Sequence, residues 1–367
     1  MRLLDSNQAY VNEITATLAA RVGEWFGAGA VLEPASAELR LYPNSFMVRL
    51  RVRAENSQPV LLVKIPRKPA HRSIADALQN DYLRAHTRDY FDFMLATWRA
   101  FVDADAPSCF AIRPFEYFEQ WNAIVMLEAQ GRPLKDMLAF GRPPQTDEFQ
   151  THLKHAARWV RIFHERIGEM NVQTFSRAEI EAALDAVLDN LAKYSRGRVD
   201  TASIRTSMLA SVSDGWRVPV ARTHDDYHYS NVLVSPDDRA CGLDARRRSV
   251  RNPIYADLAT LLLDPATRFA SILTGGSLLP RRFFERSRQS ILDGYFTAEP
   301  YEASILDFYC AVVVLDKWMI NERRLASGMA RFAGIVLRPW VRWYFSSLLR
   351  RYIVLLPPHF ATLEASG

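Results

Sequence analysis

Apolar and polar positions change rhythm twice along this chain. From Asn12 to Phe26 the side chains Ile14, Leu18, Val22 and Trp25 recur at helical spacing, which predicts an amphipathic helix near the start. From Glu38 to Pro66 the period falls to two, in Leu39-Arg40-Leu41 and Met47-Val48-Arg49-Leu50-Arg51-Val52, followed by the apolar run from Val60 to Ile65. These read as strands, with turns at Asn44-Ser45 and Glu55-Asn56-Ser57. A helical stretch from about Ile74 to Phe101 follows, then two further strands near Phe110 to Phe118 and Ala123 to Glu128.

Beyond Gly131-Arg132-Pro133, a natural connector, the helical period returns over Phe149 to Ile167, Arg177 to Tyr194 and most of Tyr301 to Leu355. The one strong interruption expected there is a hairpin at 220–245. A sheet-rich first part over 1–130 and a larger, mostly helical second part over 131–367 predict an α+β chain of two lobes. The first would hold an N-terminal helix, an antiparallel sheet, a strand ending in a lysine and a paired helix.

Composition narrows the class without naming a chemistry. With 367 residues, 49% hydrophobic and 24% charged, the chain can bury two cores, and its formal charge of +5 comes from arginines spread through both halves. Local clusters occur at Arg246-Arg247-Arg248 and Arg281-Arg282, but no dense basic face with interleaved aromatics is visible, so no nucleic-acid partner is expected. The start Met1-Arg2-Leu3-Leu4-Asp5 turns polar at once, and no run approaches the roughly 20 apolar residues of a membrane span. Cys109, Cys241 and Cys310 have neither paired nor metal-site spacing, which suits a reducing compartment. The expected location is the cytoplasm.

Chemistry concentrates in His224-Asp225-Asp226-Tyr227-His228-Tyr229-Ser230-Asn231, followed by Val232-Leu233-Val234 and then Leu243-Asp244. Phosphoryl transfer from a nucleotide needs one Asp to orient the attacking hydroxyl and take its proton. It also needs an Asn and a second Asp to hold magnesium on the phosphates. The pattern His-x-Asp-x-x-x-x-Asn supplies the first two, and a turn at Ser235-Pro236-Asp237-Asp238 would carry Asp244 back beside Asn231. Asp226 is therefore the candidate base, Asn231 and Asp244 the candidate magnesium ligands, and His224 a residue expected to fix the loop by hydrogen bonding. His228 could face substrate or solvent. Lys64 ends the apolar run Leu61-Leu62-Val63, as a lysine reaching for the α- and β-phosphates should, and Asp89 is its candidate partner, with Asp92 and Asp81 as competitors.

These residues resemble those of the aminoglycoside phosphotransferase and choline kinase-like family of small-molecule kinases. The likeness covers about residues 40 to 265 and extends beyond the loop. Leu62-Val63-Lys64-Ile65-Pro66-Arg67 resembles the lysine strand, and Ala123 to Leu134 the hinge with the segment after it. Trp159-Val160-Arg161-Ile162-Phe163-His164 resembles the helix that ends in histidine, and Pro253-Ile254-Tyr255-Ala256-Asp257-Leu258-Ala259 a motif with a structural Asp. The resemblance implies a bilobal protein-kinase-like fold, ATP or GTP, magnesium, and a small hydroxylated acceptor, with Glu128 and its neighbours at the nucleotide base. Two departures stand out: Asp225 replaces the family's usual Gly, and the turn Leu41-Tyr42-Pro43-Asn44-Ser45, which would cover the phosphates, has no glycine. Asn44 and Ser45 are its candidate contacts.

Aminoglycosides are polycations, whereas Arg246, Arg247, Arg248 and Arg251 follow Asp244 here. A neutral or anionic acceptor such as a sugar or glycan intermediate fits them better than an antibiotic. The alternatives are an aminoglycoside kinase and a catalytically weak, nucleotide-binding regulator. The segment 337–356 mixes aromatics with arginines at helical spacing, and the first reading is a helix docked on the second lobe, the second a helix lying on a membrane surface.

Overall fold

A computed structural model describes residues 2–138, 146–245, 251–297, 299–326 and 330–355. The chain divides into two compact units, Met1–Gly131 and Arg132–Gly367.

In the first unit, α1 (Arg2–Ala19) and α2 (Val22–Phe26) precede the strands β1 (Val31–Tyr42), β2 (Ser45–Arg53) and β3 (Val60–Pro66), then α3 (Ile74–Leu78), α4 (Asp81–Asp103), β4 (Pro114–Phe118) and β5 (Ala123–Leu127). The strands form one antiparallel sheet in the order β1-β2-β3-β5-β4. The opening helix starts earlier than its apolar spacing suggests and breaks after Ala19. The predicted 74–101 helix is likewise two, because the Asn80 side chain accepts the Leu83 N–H and starts α4 afresh.

Alternation in the strands decides the two faces of this sheet. Val48, Leu50, Leu61, Val63 and Ile65 are fully buried and share one core with Ile14 and Leu18 of α1. Lys64, paired across the ladder with Met47 and Ile124, therefore belongs to the opposite face.

In the second unit the elements are β6 (Arg132–Pro133), α5 (Asp147–Arg166), β7 (Asn171–Phe175), α6 (Arg177–Ser195), α7 (Thr201–Leu209) and β8 (Trp216–Arg222). They continue with β9 (Val232–Val234), β10 (Ala240–Gly242), β11 (Arg251–Pro253), α8 (Tyr255–Thr267), α9 (Phe269–Leu273), α10 (Arg281–Phe296), α11 (Ala303–Ala326) and α12 (Ala330–Leu355). The α+β class holds. The hairpin is β9–β10, shorter than the 220–245 expected, and it is not the sole interruption: β8 belongs to a second small sheet in the order β11-β8-β7. β7 escapes a pattern reading because four of its five residues are exposed, so its sequence carries no burial alternation.

α11 buries Leu306, Cys310, Ala311, Val314, Leu315 and Trp318 and is the central helix of this unit. α12 docks on it through Val341, Phe345, Leu348 and Leu349. Two of its arginines turn inward too, while Arg350 and Arg351 are exposed. Arg342 makes two bonds of 2.6 and 3.0 Å to Glu322 of α11, which is 0% exposed, and Arg338 stands 3.8 Å from the same carboxylate. Part of the aromatic and arginine mixture in the C-terminal segment is thus used for docking, while Trp343 is half exposed. Among the described residues, no helix is long and apolar enough to cross a membrane.

A carboxylate taken from such a buried pair leaves charge without compensation. Glu322→Ala should lower the unfolding free energy by about 3 kcal/mol or more, read as a fall in the urea midpoint. A loss below about 1 kcal/mol, the scale of an exposed pair, would contradict this packing.

Candidate active site

The loop 223–231 alternates between inward and outward side chains. His224, Tyr227 and Tyr229 are fully buried, whereas the side chains of Asp226 and His228 remain 35% and 25% exposed. The inward residues rest on α5: Trp159 stacks on Phe163 at 5.5 Å and on Tyr227 at 5.7 Å, and the His224 ring lies 5.0 Å from that of Tyr227. Tyr227 also donates its hydroxyl to the Ala156 carbonyl at 2.6 Å.

Two carboxylates of α8 hold the loop backbone. Asp257 and Asp264 are seven residues apart, two helical turns, and so share a face. Asp257 accepts the N–H of His224 at 2.7 Å and of Asp225 at 3.2 Å, and Asp264 accepts that of Tyr229 at 3.1 Å. Asp257 is 2% exposed and meets His164 Nε2, at the end of α5, at 2.9 Å. The Tyr295 phenol, pushed well above its usual range by burial, stands 2.8 Å from His164 Nδ1 and also donates to Met170 Sδ at 3.7 Å. The Asp257 carboxylate, an acceptor, faces Nε2 of the histidine and so takes the proton there. Asp264 is paired with Arg268, whose guanidinium also reaches Ser230 Oγ at 3.3 Å.

His224 itself does not hold the loop by side-chain hydrogen bonds, contrary to expectation. Its backbone N–H is the bonded group, and the ring nitrogens make no well-formed hydrogen bond, the Leu243 backbone being the polar group beside them. The aromatic niche around the ring explains this, and the same burial pushes its pKa below 6.5.

Asp225 adopts a left-handed backbone, φ 66°, a conformation that glycine takes most easily. The carboxylate is kept in place by Thr223 Oγ1 at 2.7 Å and Asn252 Nδ2 at 3.3 Å.

The hairpin pairs Val232 with Gly242 and Val234 with Ala240, and one more bond, Leu243 N–H to the Asn231 carbonyl at 2.8 Å, continues it. Asp244 is the next residue. Gly242 is required because a Cβ there would lie 2.4 Å from the Trp159 ring. Asn231 donates Nδ2 to the Asp226 carbonyl at 3.0 Å, which turns Oδ1 away from the loop backbone. An amide oxygen and a carboxylate are hard donors of the kind magnesium takes. The hairpin thus sets the backbone before Asp244 against Asn231, whose side chain bonds the Asp226 carbonyl. His228, undecided from sequence, places Nε2 at 3.3 Å from Asp226 Oδ1.

The remaining predicted residues belong to the first unit. Lys64 Nζ stands 5.2 Å from the centroid of the Tyr90 ring, a partner no sequence pattern pointed to. Asp89 precedes Tyr90 on the exposed side of α4, while Asp92 is 3.7 Å from Arg88 and Asp81 sits in the first turn. In the β1–β2 turn Asn44 is exposed, and its carbonyl accepts the Arg67 N–H at 2.9 Å; Ser45 is 5% exposed. Glu128 gives its N–H to the Val60 carbonyl at 2.8 Å, and its carboxylate takes bonds of 2.7, 2.9 and 3.1 Å from Arg49. Of the basic residues expected to favour an anionic acceptor, Arg246, Arg247 and Arg248 lie outside the described residues. Arg251 is spent on the Glu169 and Val220 carbonyls.

Neither a protein-family model nor a curated protein matches the sequence. Solved structures do. A putative aminoglycoside phosphotransferase from Ralstonia eutropha superposes with a TM-score of 0.50 at 15% identity, over 86% of this chain and 93% of that one. A macrolide 2'-phosphotransferase from Brachybacterium faecium gives 0.48 at 15% identity over 88% and 96%, and a choline kinase from Streptococcus pneumoniae 0.44 at 12% over 91% and 99%. The chain shares the fold of the first.

The loop's supports differ in what their removal should cost. Asp257→Ala strands two buried N–H groups and a buried histidine, so it should cost about 3 kcal/mol, against about 1–2 for the less buried Asp264→Ala; equal losses in urea unfolding would contradict the ranking. For His224, a depressed folded pKa means that the unfolded chain protonates first. Its contribution to stability is complete above pH 6.5 and is lost as pH falls below it. His224→Phe should therefore lose less melting temperature than wild type between pH 7 and 5 in a thermal scan, and an equal loss would refute the assignment.

Proposed function

We propose that this protein is a kinase that transfers the γ-phosphate of ATP or GTP to a hydroxyl group of a small molecule. The observation that carries the reading is the closed loop. Asp226 faces outward from a backbone clamped by Asp257 and Asp264, and the Leu243–Asn231 bond sets Asp244 beside Asn231. The fold shared with a putative aminoglycoside phosphotransferase supports it.

In this reading the Asp226 carboxylate orients the acceptor hydroxyl and takes its proton as the phosphoryl group leaves the nucleotide. Asn231 Oδ1 and Asp244 would hold magnesium, which when bound supplies charge neutralisation on the phosphates. His224 acts by packing beneath the loop. Lys64 offers a cation to the α- and β-phosphates, with Asp89 and Tyr90 on the neighbouring helix. Asn44, with Ser45 behind it, belongs at the phosphate turn, and the backbone around Glu128 at the base. The lobes 1–130 and 131–367 divide the work accordingly. Three buried thiols, Cys109, Cys241 and Cys310, suit the reducing cytoplasm where such nucleotides are supplied.

The acceptor we favour is neutral or anionic, such as a sugar or glycan intermediate. The support for this lies in α8 rather than in the segment from Arg246 to Arg251. Asp257 is spent on backbone N–H groups and His164, and Asp264 on Arg268, so neither offers its charge to a polycation such as an aminoglycoside. The regulator reading drew on the glycine-free turn before Ser45 and on Asp225, and the left-handed backbone with the Thr223 bond accounts for the second without any loss of catalysis.

Asp226→Asn should retain nucleotide binding while losing turnover by about 10²-fold or more. Asp244→Asn should abolish the magnesium-dependent part of the thermal shift given by ATP or GTP. Nucleotide turnover unchanged in Asp226→Asn would overturn the assignment. A shift without turnover in wild type, across a panel of hydroxyl compounds, would favour the regulator.

A further inference from the structure

α12 docks by one side and leaves the other to solvent. Val341, Phe345, Leu348 and Leu349 pack inward, whereas Val336, Trp340 and Trp343, spaced by four and three residues, are exposed on the opposite side. The same outward stripe runs on through Ser347 to the exposed Arg350 and Arg351. The Trp340 and Trp343 rings are 4.7 Å apart, and a Cβ on Gly275 would come within 3.2 Å of both. α9 extends this surface. Its exposed Phe269 and Leu273 share with Trp340 the wall of a recess of about 180 Å³. Five of the twelve large apolar side chains exposed among the described residues therefore meet on one face, which single scattered residues would not do.

The charge around this face has one sign. The chain segments 265–284 and 323–355, which carry all five side chains, contain ten arginines and no aspartate or glutamate. The acids that border them are taken, Asp264 by Arg268, Glu285 by Arg281 and Glu322 by Arg342. Arg324 lines the recess beside Phe269 and Trp340, and Arg351 lines a neighbouring hollow beside Gly275, Gly276 and Tyr344. We infer that this face rests on the surface of a lipid bilayer bearing anionic headgroups, with Phe269, Trp340 and Trp343 in the interfacial layer and Arg324 and Arg351 among the phosphates.

Tryptophan is enriched where a bilayer meets water, and arginines beside it draw in anionic lipid. Trp340 gives its indole N–H to the Ile272 carbonyl at 2.6 Å, so the part it turns outward is apolar ring. Two copies of the chain meeting here would set arginine against arginine, a like-charge contact that disfavours self-association. Among the described residues no helix is long enough and apolar enough to span a membrane, so the association is peripheral. It goes beyond the kinase reading and does not depend on it, because none of these side chains is assigned to the reaction.

Co-sedimentation of the full chain with unilamellar vesicles tests this. Vesicles of phosphatidylcholine mixed with phosphatidylglycerol should bind wild type about tenfold or more tighter than phosphatidylcholine alone, and high salt should remove the difference. Trp343→Ser and Phe269→Ser, both at exposed positions and checked for folding by thermal unfolding, should each weaken binding about tenfold. Arg351→Gln should weaken it about fivefold. Brominated phosphatidylcholine in the mixed vesicles should quench part of the tryptophan fluorescence, and Trp343→Phe should remove much of that part. No binding, or equal binding to neutral and anionic vesicles, would overturn the inference. Binding that needs the arginines yet is unchanged in Trp343→Ser and Phe269→Ser would overturn it as well, being adsorption of a basic chain. Self-association in sedimentation velocity that Trp343→Ser abolishes, without vesicle binding, would give the face to a second copy and overturn it too.

Discussion

A single buried carboxylate holds the candidate site together. Asp257 is almost fully removed from water, and a charge so placed persists only if its lone pairs are used. They are used on the backbone N–H groups of His224 and Asp225 and on the His164 ring, which is in turn oriented by Tyr295. Four segments of the second unit, α5, the loop, the start of α8 and the end of α10, are thereby tied at one point. The loop cannot shift without leaving an ion unpaired in the core. Removing any partner would cost several times what an exposed pair is worth.

The chemistry follows from that constraint by alternation. With residues 224 and 225 pinned by their N–H groups and 229 pinned by Asp264, the inward side chains are His224, Tyr227 and Tyr229, and their aromatic packing on Trp159 sets the depth of the loop. Asp226 and His228 are left on the outer side. The same Trp159 excludes any side chain at Gly242, so the hairpin comes close enough for Leu243 to bond Asn231. One helix thus sets both the floor of the loop and the approach of the strand that carries Asp244.

Much of this was legible in the sequence, and the rest was hidden for identifiable reasons. Alternation located β2 and a continuous apolar run located β3, but the face that carries Lys64 came only from the strand pairing and the core shared with α1. The sheet of β7, β8 and β11 was not visible, since β7 is mostly exposed and β11 has three residues. Asp226, Asn231 and Asp244 could be picked out by type and spacing, and His164 and Asp257 only through the family resemblance. Tyr295 could not, because its bond to His164 joins residues 131 positions apart, and Asp264 could not, because its role depends on a partner 35 positions away. The expected hydrogen bonds of His224 failed for another reason. A histidine looks polar in a sequence, but here three aromatic rings surround it and its backbone makes the bond.

The most direct test is ³¹P NMR of wild-type protein with Mg-ATP or Mg-GTP and pooled neutral and anionic hydroxyl compounds, sugars first. The account predicts a new phosphomonoester resonance that grows as the γ-phosphate signal declines, requires magnesium, and is absent when Asp226 is replaced by Asn. A phosphomonoester that forms equally well without Asp226 would contradict the central claim, as would nucleotide left intact in every pool.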